Sequence, residues 1–364
     1  AENLISNMNM LFKETSSGLA ISVVVVGALM AASTGIVGAS VVTLGLLTYP
    51  VLIKNGYSSS IASGTICASG TLGQIIPPSL VLILLADVLS SSYQQAQLNI
   101  GIFSPETITI ADLFLGALIP GLILPLLYII YLKTLNINNS KINRSKTINL
   151  YSIIFPLSLM VIVLGSIILG IATPSEAAGL GALGAMILSY SQNNLTKEIL
   201  DKCIYESIKL TSMVFMILIG ATLFSLVFRG LEGEEFIHRF LIEMPNDKFM
   251  TLIIILLIMF LLGFILDFIE ITFIVIPLVG PALFTLGFDP LWIGILIALV
   301  LQTSFITPPF GFSLFYLRGV LPQSVKTTEI YKGIVPFLFL QLLLVTLVFI
   351  FPSLATYLPE MLFN

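Results

Sequence analysis

The sequence has very little charge. Only 9% of its 364 residues are Asp, Glu, Lys or Arg, roughly a third of the share in an ordinary water-soluble domain. It has one histidine, His238, and two cysteines, Cys67 and Cys203. A single imidazole cannot build a histidine metal cluster. The two cysteines lie within or beside apolar runs and read as small packing residues, not as a disulfide or a thiolate site. No nucleophile–base set and no paired metal motif converge, which excludes a membrane-embedded enzyme. There is no basic patch, and the net charge is −4, so nucleic acid is not a partner. What is abundant is apolar: 57% of residues are hydrophobic and the mean hydropathy is +1.08. Runs such as Leu252–Ile265 and Val335–Phe351 mark a polytopic protein of the lipid bilayer.

The chain repeats itself at an offset of 231 residues. Pro50, Gly56, Tyr57, Pro77 and Pro78 correspond to Pro281, Gly287, Phe288, Pro308 and Pro309. Leu47, Leu52, Ile66 and Ile75 find Leu278, Leu283, Ile297 and Ile306 at the same offset. Two matched, proline-broken apolar segments point to a transporter whose site lies between two repeats. The fold class expected is all-α and polytopic: an inverted-topology repeat with two re-entrant helical hairpins and two Pro-Pro-broken transmembrane helices.

In order along the chain, residues 1–14 read as an interfacial amphipathic helix. Residues 15–92 hold the first hairpin, with arms Leu19–Ala32 and Val41–Ile53, and a broken crossing resumed over Ser79–Leu89. Ser90–Ala111 reads as a polar loop. Residues 93–245 are scaffold crossings with an amphipathic arm at 196–209, and Glu232–Lys248 reads as a polar connection to the second repeat. Residues 246–320 repeat the hairpin and broken crossing, and 321–364 hold a last crossing. The first residue is Ala1, so the chain reads as lacking upstream sequence. Five crossings separate the hairpins, and an odd number opens them to opposite faces. With the basic loop after residue 132 in the cytoplasm, twelve of the 15 Lys and Arg fall inside, as the positive-inside bias requires. The first hairpin then opens to the cytoplasm, the second to the outside, and the C-terminus lies outside.

Hairpin tips and proline breaks free backbone groups that lipid cannot satisfy. Carbonyls there suit Na+, and half-helix N-termini suit carboxylates. The first repeat offers Ser33, Thr34, Gly35, Gly38, Ala39 and Ser40 at its tip, and Thr71, Gly73, Gln74, Pro77, Pro78 and Ser79 at its break. The second offers Gly263–Glu270, with Asp267, then Gln302, Thr303, Ser304, Thr307, Pro308 and Pro309. Helix packing is the alternative use of the small and hydroxyl residues. A mid-membrane carboxylate costs about 2.5–3.5 kcal/mol, so Asp267 either meets an ion or proton or caps within the hairpin. Arg318 reads as a snorkelling residue, and Thr173-Pro174-Ser175-Glu176 as a helix start.

Several of these segments resemble a known family. Gly70-Thr71-Leu72-Gly73-Gln74-Ile75-Ile76-Pro77-Pro78-Ser79, Ala172-Thr173-Pro174-Ser175-Glu176-Ala177-Ala178, Gly287-Phe288-Asp289-Pro290 and Thr307-Pro308-Pro309-Phe310-Gly311 look like the large membrane subunit of tripartite ATP-independent periplasmic (TRAP) transporters. Gln302-Thr303-Ser304 and Phe315-Tyr316-Leu317-Arg318-Gly319 resemble its mannitol/chloroaromatic-type branch, a label that names no substrate here. The resemblance implies a Na+-driven importer of organic acids in the bacterial inner membrane, moving as an elevator. It implies two partners, a periplasmic substrate-binding protein and a small four-helix membrane subunit, and further membrane helices upstream. Carried over by position, the substrate would meet Ser33, Thr34, Gly35, Gly38, Ala39, Ser40, Thr71, Gln302 and Thr307. Na+ would meet Ser40, Gly73, Pro77, Gly263, Asp267, Ser304 and Pro308. A stand-alone carboxylate or ion exchanger of related architecture is the alternative.

Overall fold

The structure, a computed structural model, describes residues 17–135, 151–242 and 248–363. The expected amphipathic helix at 1–14 and most of the basic loop lie outside the described residues. Among the described residues all regular structure is helical, as a chain that must satisfy its own backbone in lipid requires.

The first hairpin is α1 (Gly18–Thr34) and α2 (Val37–Lys54). The turn is tighter than expected. Only Gly35 and Ile36 interrupt the helices, and Gly35 sits at φ +63°. Gly38, Ala39 and Ser40 form the first turn of α2, not a loop. Helix α3 (Ser59–Thr71) follows, tightens into a 3₁₀ turn over Leu72–Gln74, breaks at Pro77-Pro78 and resumes as α4 (Leu80–Asn99). The polar stretch after Leu89 is therefore helix for ten residues beyond the expected end. Packing explains it: Ser92 lies against Gly280, where an added Cβ would come within 2.9 Å, and Tyr93 meets Phe284 edge-on at 5.5 Å.

Helix α5 (Ile110–Thr134) starts on a Thr109/Asp112 capping box. Helices α6 (Tyr151–Ile168) and α7 (Pro174–Ser191) form an antiparallel pair. Glu176 accepts from the Thr173 backbone at 2.8 Å, the helix-start role its sequence suggested. Helix α8 (Lys197–Gly230) is unbroken through arm and crossing. Its 34 residues span about 51 Å, more than the roughly 30 Å hydrocarbon core. Inside the polar connection lies an unforeseen helix, α9 (Gly233–Ile242).

The second hairpin is α10 (Lys248–Leu262) and α11 (Phe268–Thr285), the latter with a π-turn over Ile271–Val275. The second broken helix is α12 (Pro290–Ile306) and α13 (Phe312–Val320), and α14 (Thr327–Ile350) follows. A last helix, α15 (Ser353–Phe363), packs on α5 and was not anticipated.

The repeat is visible in the backbone itself. Helices α2 and α11 start at Val37 and Phe268 and end at Lys54 and Thr285, each pair 231 apart. Gly56 and Gly287 take φ +86° and +80°. Ser58 and Asp289 cap the following helices through their side chains. Both Pro-Pro bonds are cis.

The core forms where the repeats meet α5 and α14. Gly64 of α3 and Gly333 of α14 cross with backbone against backbone: a Cβ on Gly64 would lie 2.1 Å from the Gly333 carbonyl oxygen. Gln341 of α14 donates to the Tyr128 hydroxyl of α5 at 2.9 Å, and Trp292 of α12 donates to the Val348 carbonyl at 2.7 Å. Helices α6 and α7 pair with each other and α6 touches α5, while α8 packs on α9 and on the start of α11; apolar side chains such as Leu183, Ile187, Phe215 and Leu226 stay exposed. In a bilayer that surface faces lipid or a partner. Cys67 is buried as expected, but Cys203 is exposed on α8.

Candidate functional site

Each hairpin tip folds onto the break of its own repeat. In repeat 1 a Cβ on Gly35 would lie 3.2 Å from Leu80, the first residue of α4. In repeat 2 a Cβ on Gly263 would fall 2.3 Å from Ser304 Oγ, and Phe264 meets Phe310 at 6.2 Å. Glycine is required at 263 because nothing larger lets the tip approach the break. Gly263→Ala should therefore lift the tip off Ser304 and slow transport several-fold with normal expression, a result that an uptake assay beside a detergent melt would check.

The hydroxyls at the breaks bond to the chain. Thr71 donates to Ala68 O at 2.9 Å and Ser79 to Gln74 O at 2.8 Å. Ser304 donates to Leu301 O and Thr307 to Thr303 O, both at 2.7 Å. Their protons are used, but their oxygens keep lone pairs for a cation. The side chains of Ser33 and Thr34 lie outside the described part.

The carboxamides behave differently. Gln74 is 0% exposed and Gln302 is 1% exposed. Neither the nitrogen nor the oxygen of either amide has a hydrogen-bond partner among the described residues. Native proteins pair the large majority of such buried groups, so two whole amides left bare, one at each break, require something else. The Thr272 hydroxyl, in the π-turn below the second tip, is also buried and bare; such turns recur at functional sites.

The two tips differ in charge. Asp267 caps α11: its Oδ1 accepts from the Phe268 N–H at 2.7 Å, and its own N–H donates to Glu270 at 3.2 Å. Ile36, at the matching position before α2, supplies no side-chain cap. One helix start thus carries two carboxylates and the other leaves its first amides to the backbone dipole. Arg318 turns away from both, donating to Val325 O, so it anchors the segment after α13.

The repeats also meet each other here. Helix α13 of repeat 2 packs on α2 and α3 of repeat 1, with Cys67 donating to Ser313 O at 3.6 Å. Tyr316 of α13 sets its ring against Gly38, where a Cβ would lie 3.1 Å from Cζ. Tyr316 belongs to no sequence-based site set, since only the contact between repeats singles it out. Facing Gly35, Pro78 and Ser79 across a cavity of about 430 Å³ is an apolar wall from α6 and α7.

Comparison with known proteins accords with this architecture. The family model for the DctM component of the tripartite ATP-independent periplasmic transporter matches residues 1–354. The C4-dicarboxylate TRAP transporter large permease protein DctM of Pseudomonas aeruginosa is 28% identical over 367 residues, covering 99% of this chain and 82% of that protein. Its Vibrio cholerae namesake is 29% identical over 373 residues, covering 95% and 78%. Among solved structures, the Alcanivorax borkumensis YdaH transporter, described as having an unusual topology, shares the fold with TM-score 0.65 at 14% identity, covering 97% of this chain and 83% of that one. The chain belongs to the TRAP transporter family as a DctM-type large permease subunit, a multi-pass inner-membrane transport protein and not an enzyme.

Proposed function

We propose that this subunit couples Na+ entry to the import of an organic acid delivered by a periplasmic binding protein, with a small membrane subunit bracing it. The carrying observation is the pair of bare, buried carboxamides at Gln74 and Gln302. A carboxamide can give its oxygen to a cation and its N–H groups to a carboxylate. The hydroxyl and carbonyl oxygens of Thr71, Gly73, Pro77, Ser304, Thr307 and Pro308 complete the cation shells. The acid sits at the uncapped start of α2, over Gly38, Ala39 and Ser40, and a cation offsets Asp267 at the other tip. The inverted arrangement, with hairpins opening to opposite faces and the C-terminus in the periplasm, gives the site alternate access.

Magnitudes favour cation coupling. Importing one negative charge against 100 mV, inside negative, costs about 2.3 kcal/mol, and a dicarboxylate costs about twice that. Two Na+ cancel the electrical cost and a third lets the potential drive import. An elevator movement fits the division between repeat 1 and the pair α6–α7, across the apolar cavity beside Ser79. Ala182→Phe on the cavity wall should slow transport while leaving Na+ binding unchanged.

The test is uptake by vesicles carrying the membrane complex with its binding protein, using radiolabelled succinate, pyruvate, lactate and gluconate. Accumulation of at least one acid should be tenfold or more greater in Na+ than in choline. Equal accumulation in the two buffers would show that Na+ is not the coupling ion.

A further inference from the structure

The two repeats are not equivalent where hairpin meets broken helix. Tyr316 sits against Gly38 at the base of α2, with its ring carbons Cζ, Cε2 and Cε1 within 3.1–3.3 Å of a Cβ built there. The hydroxyl end of the ring therefore lies over the first turn of α2. The positions 231 residues away are Leu85 and Ile269, both in the core at 0% and 2% exposure. Helices α4 and α11, which carry them, pack together as α13 and α2 do. Repeat 1 thus presents a sealed apolar joint where repeat 2 presents a phenol. Tyr316 is 41% exposed, and its hydroxyl has no hydrogen-bond partner among the described residues.

The geometry assigns Tyr316 as the specificity-determining residue of the acid site, donating its phenolic hydrogen bond to the anionic group of the solute at the tip of the first hairpin. This rests on the organic-acid reading above. An uncharged donor suits the place. A phenol donates a hydrogen bond to an acid and, being neutral, does not compete with the cation. The ring's seat on Gly38 fixes the hydroxyl, because a two-torsion aromatic loses little freedom on being held.

The test is thermal stabilisation of the purified chain with its small partner subunit, titrated with succinate, pyruvate, lactate and gluconate in Na+, and separately with Na+ alone. Tyr316→Phe keeps the ring on Gly38 and removes only the hydroxyl. The concentration of the best acid needed for half-maximal stabilisation should rise about tenfold or more, as for a hydrogen bond to a charged group. The Na+ concentration for half-maximal stabilisation should stay within twofold of wild type. An unchanged acid titration overturns the assignment, and so does an equal shift of the acid and Na+ titrations, which marks a structural role. If none of the acids stabilises the wild-type protein in Na+, the carboxylate reading itself falls and takes the assignment with it.

Discussion

Gln302→Leu should nearly abolish transport while making the ligand-free protein more stable. The two effects share a cause. The Gln302 amide is buried with both polar atoms bare, and a buried unsatisfied group costs about 1–3 kcal/mol. Leucine of similar volume removes that cost, with a gain of about 1 kcal/mol in Na+-free detergent. For a chain this long that is a rise of a degree or two in melting temperature. The same change removes a ligand from the break, worth about 1.5–3 kcal/mol when the partner is charged, or roughly ten- to a hundredfold in rate or affinity. Gln74→Leu should behave alike. A variant that melts lower and still transports normally would mean that the amide serves packing alone.

The largest loss of stability is expected at the crossing of α3 and α14. A Cβ on Gly333 would lie 1.9 Å from the Ser60 carbonyl oxygen, and one on Gly64 would lie 2.1 Å from the Gly333 carbonyl oxygen. Backbone, unlike a side chain, has no rotamer to escape into, so the helices must separate. Small residues permit such close approach in membranes, and overpacking costs about 1–3 kcal/mol or more. Gly64→Ala or Gly333→Ala should cost about 3 kcal/mol and yield aggregated protein on size exclusion. Gly165→Ala, where nothing lies within 4 Å, should be neutral or slightly stabilising. If the Gly64 and Gly333 variants melted like Gly165→Ala, the crossing would be looser than described.

The features legible in the sequence are those governed by local rules. Glycine at positive φ, a side-chain cap two residues later and a proline break recur at fixed spacing, so Gly56, Ser58 and Pro77 announce Gly287, Asp289 and Pro308. Features set by contact between distant segments were not legible. The extra turns of α4 exist because Ser92 and Tyr93 find α11. Helix α9 hid in a stretch whose charges read as loop. Asp267 illustrates the limit: its sequence allowed an ion or a cap, and the fold shows the cap. Tyr316 stands in a segment that resembles the family, but no role for it was legible there, since its place depends on Gly38 far away in the chain.

Hydrogen exchange at the two breaks tests the central claim most directly. Peptides covering residues 35–40, 71–80, 263–270 and 302–311 should exchange more slowly in Na+ than in choline, more slowly still when a transported acid is added, and alike in both salts in the Gln74→Leu, Gln302→Leu double variant. Identical exchange in the two salts in the wild-type complex, at both tips and both breaks, would contradict an ion held between them.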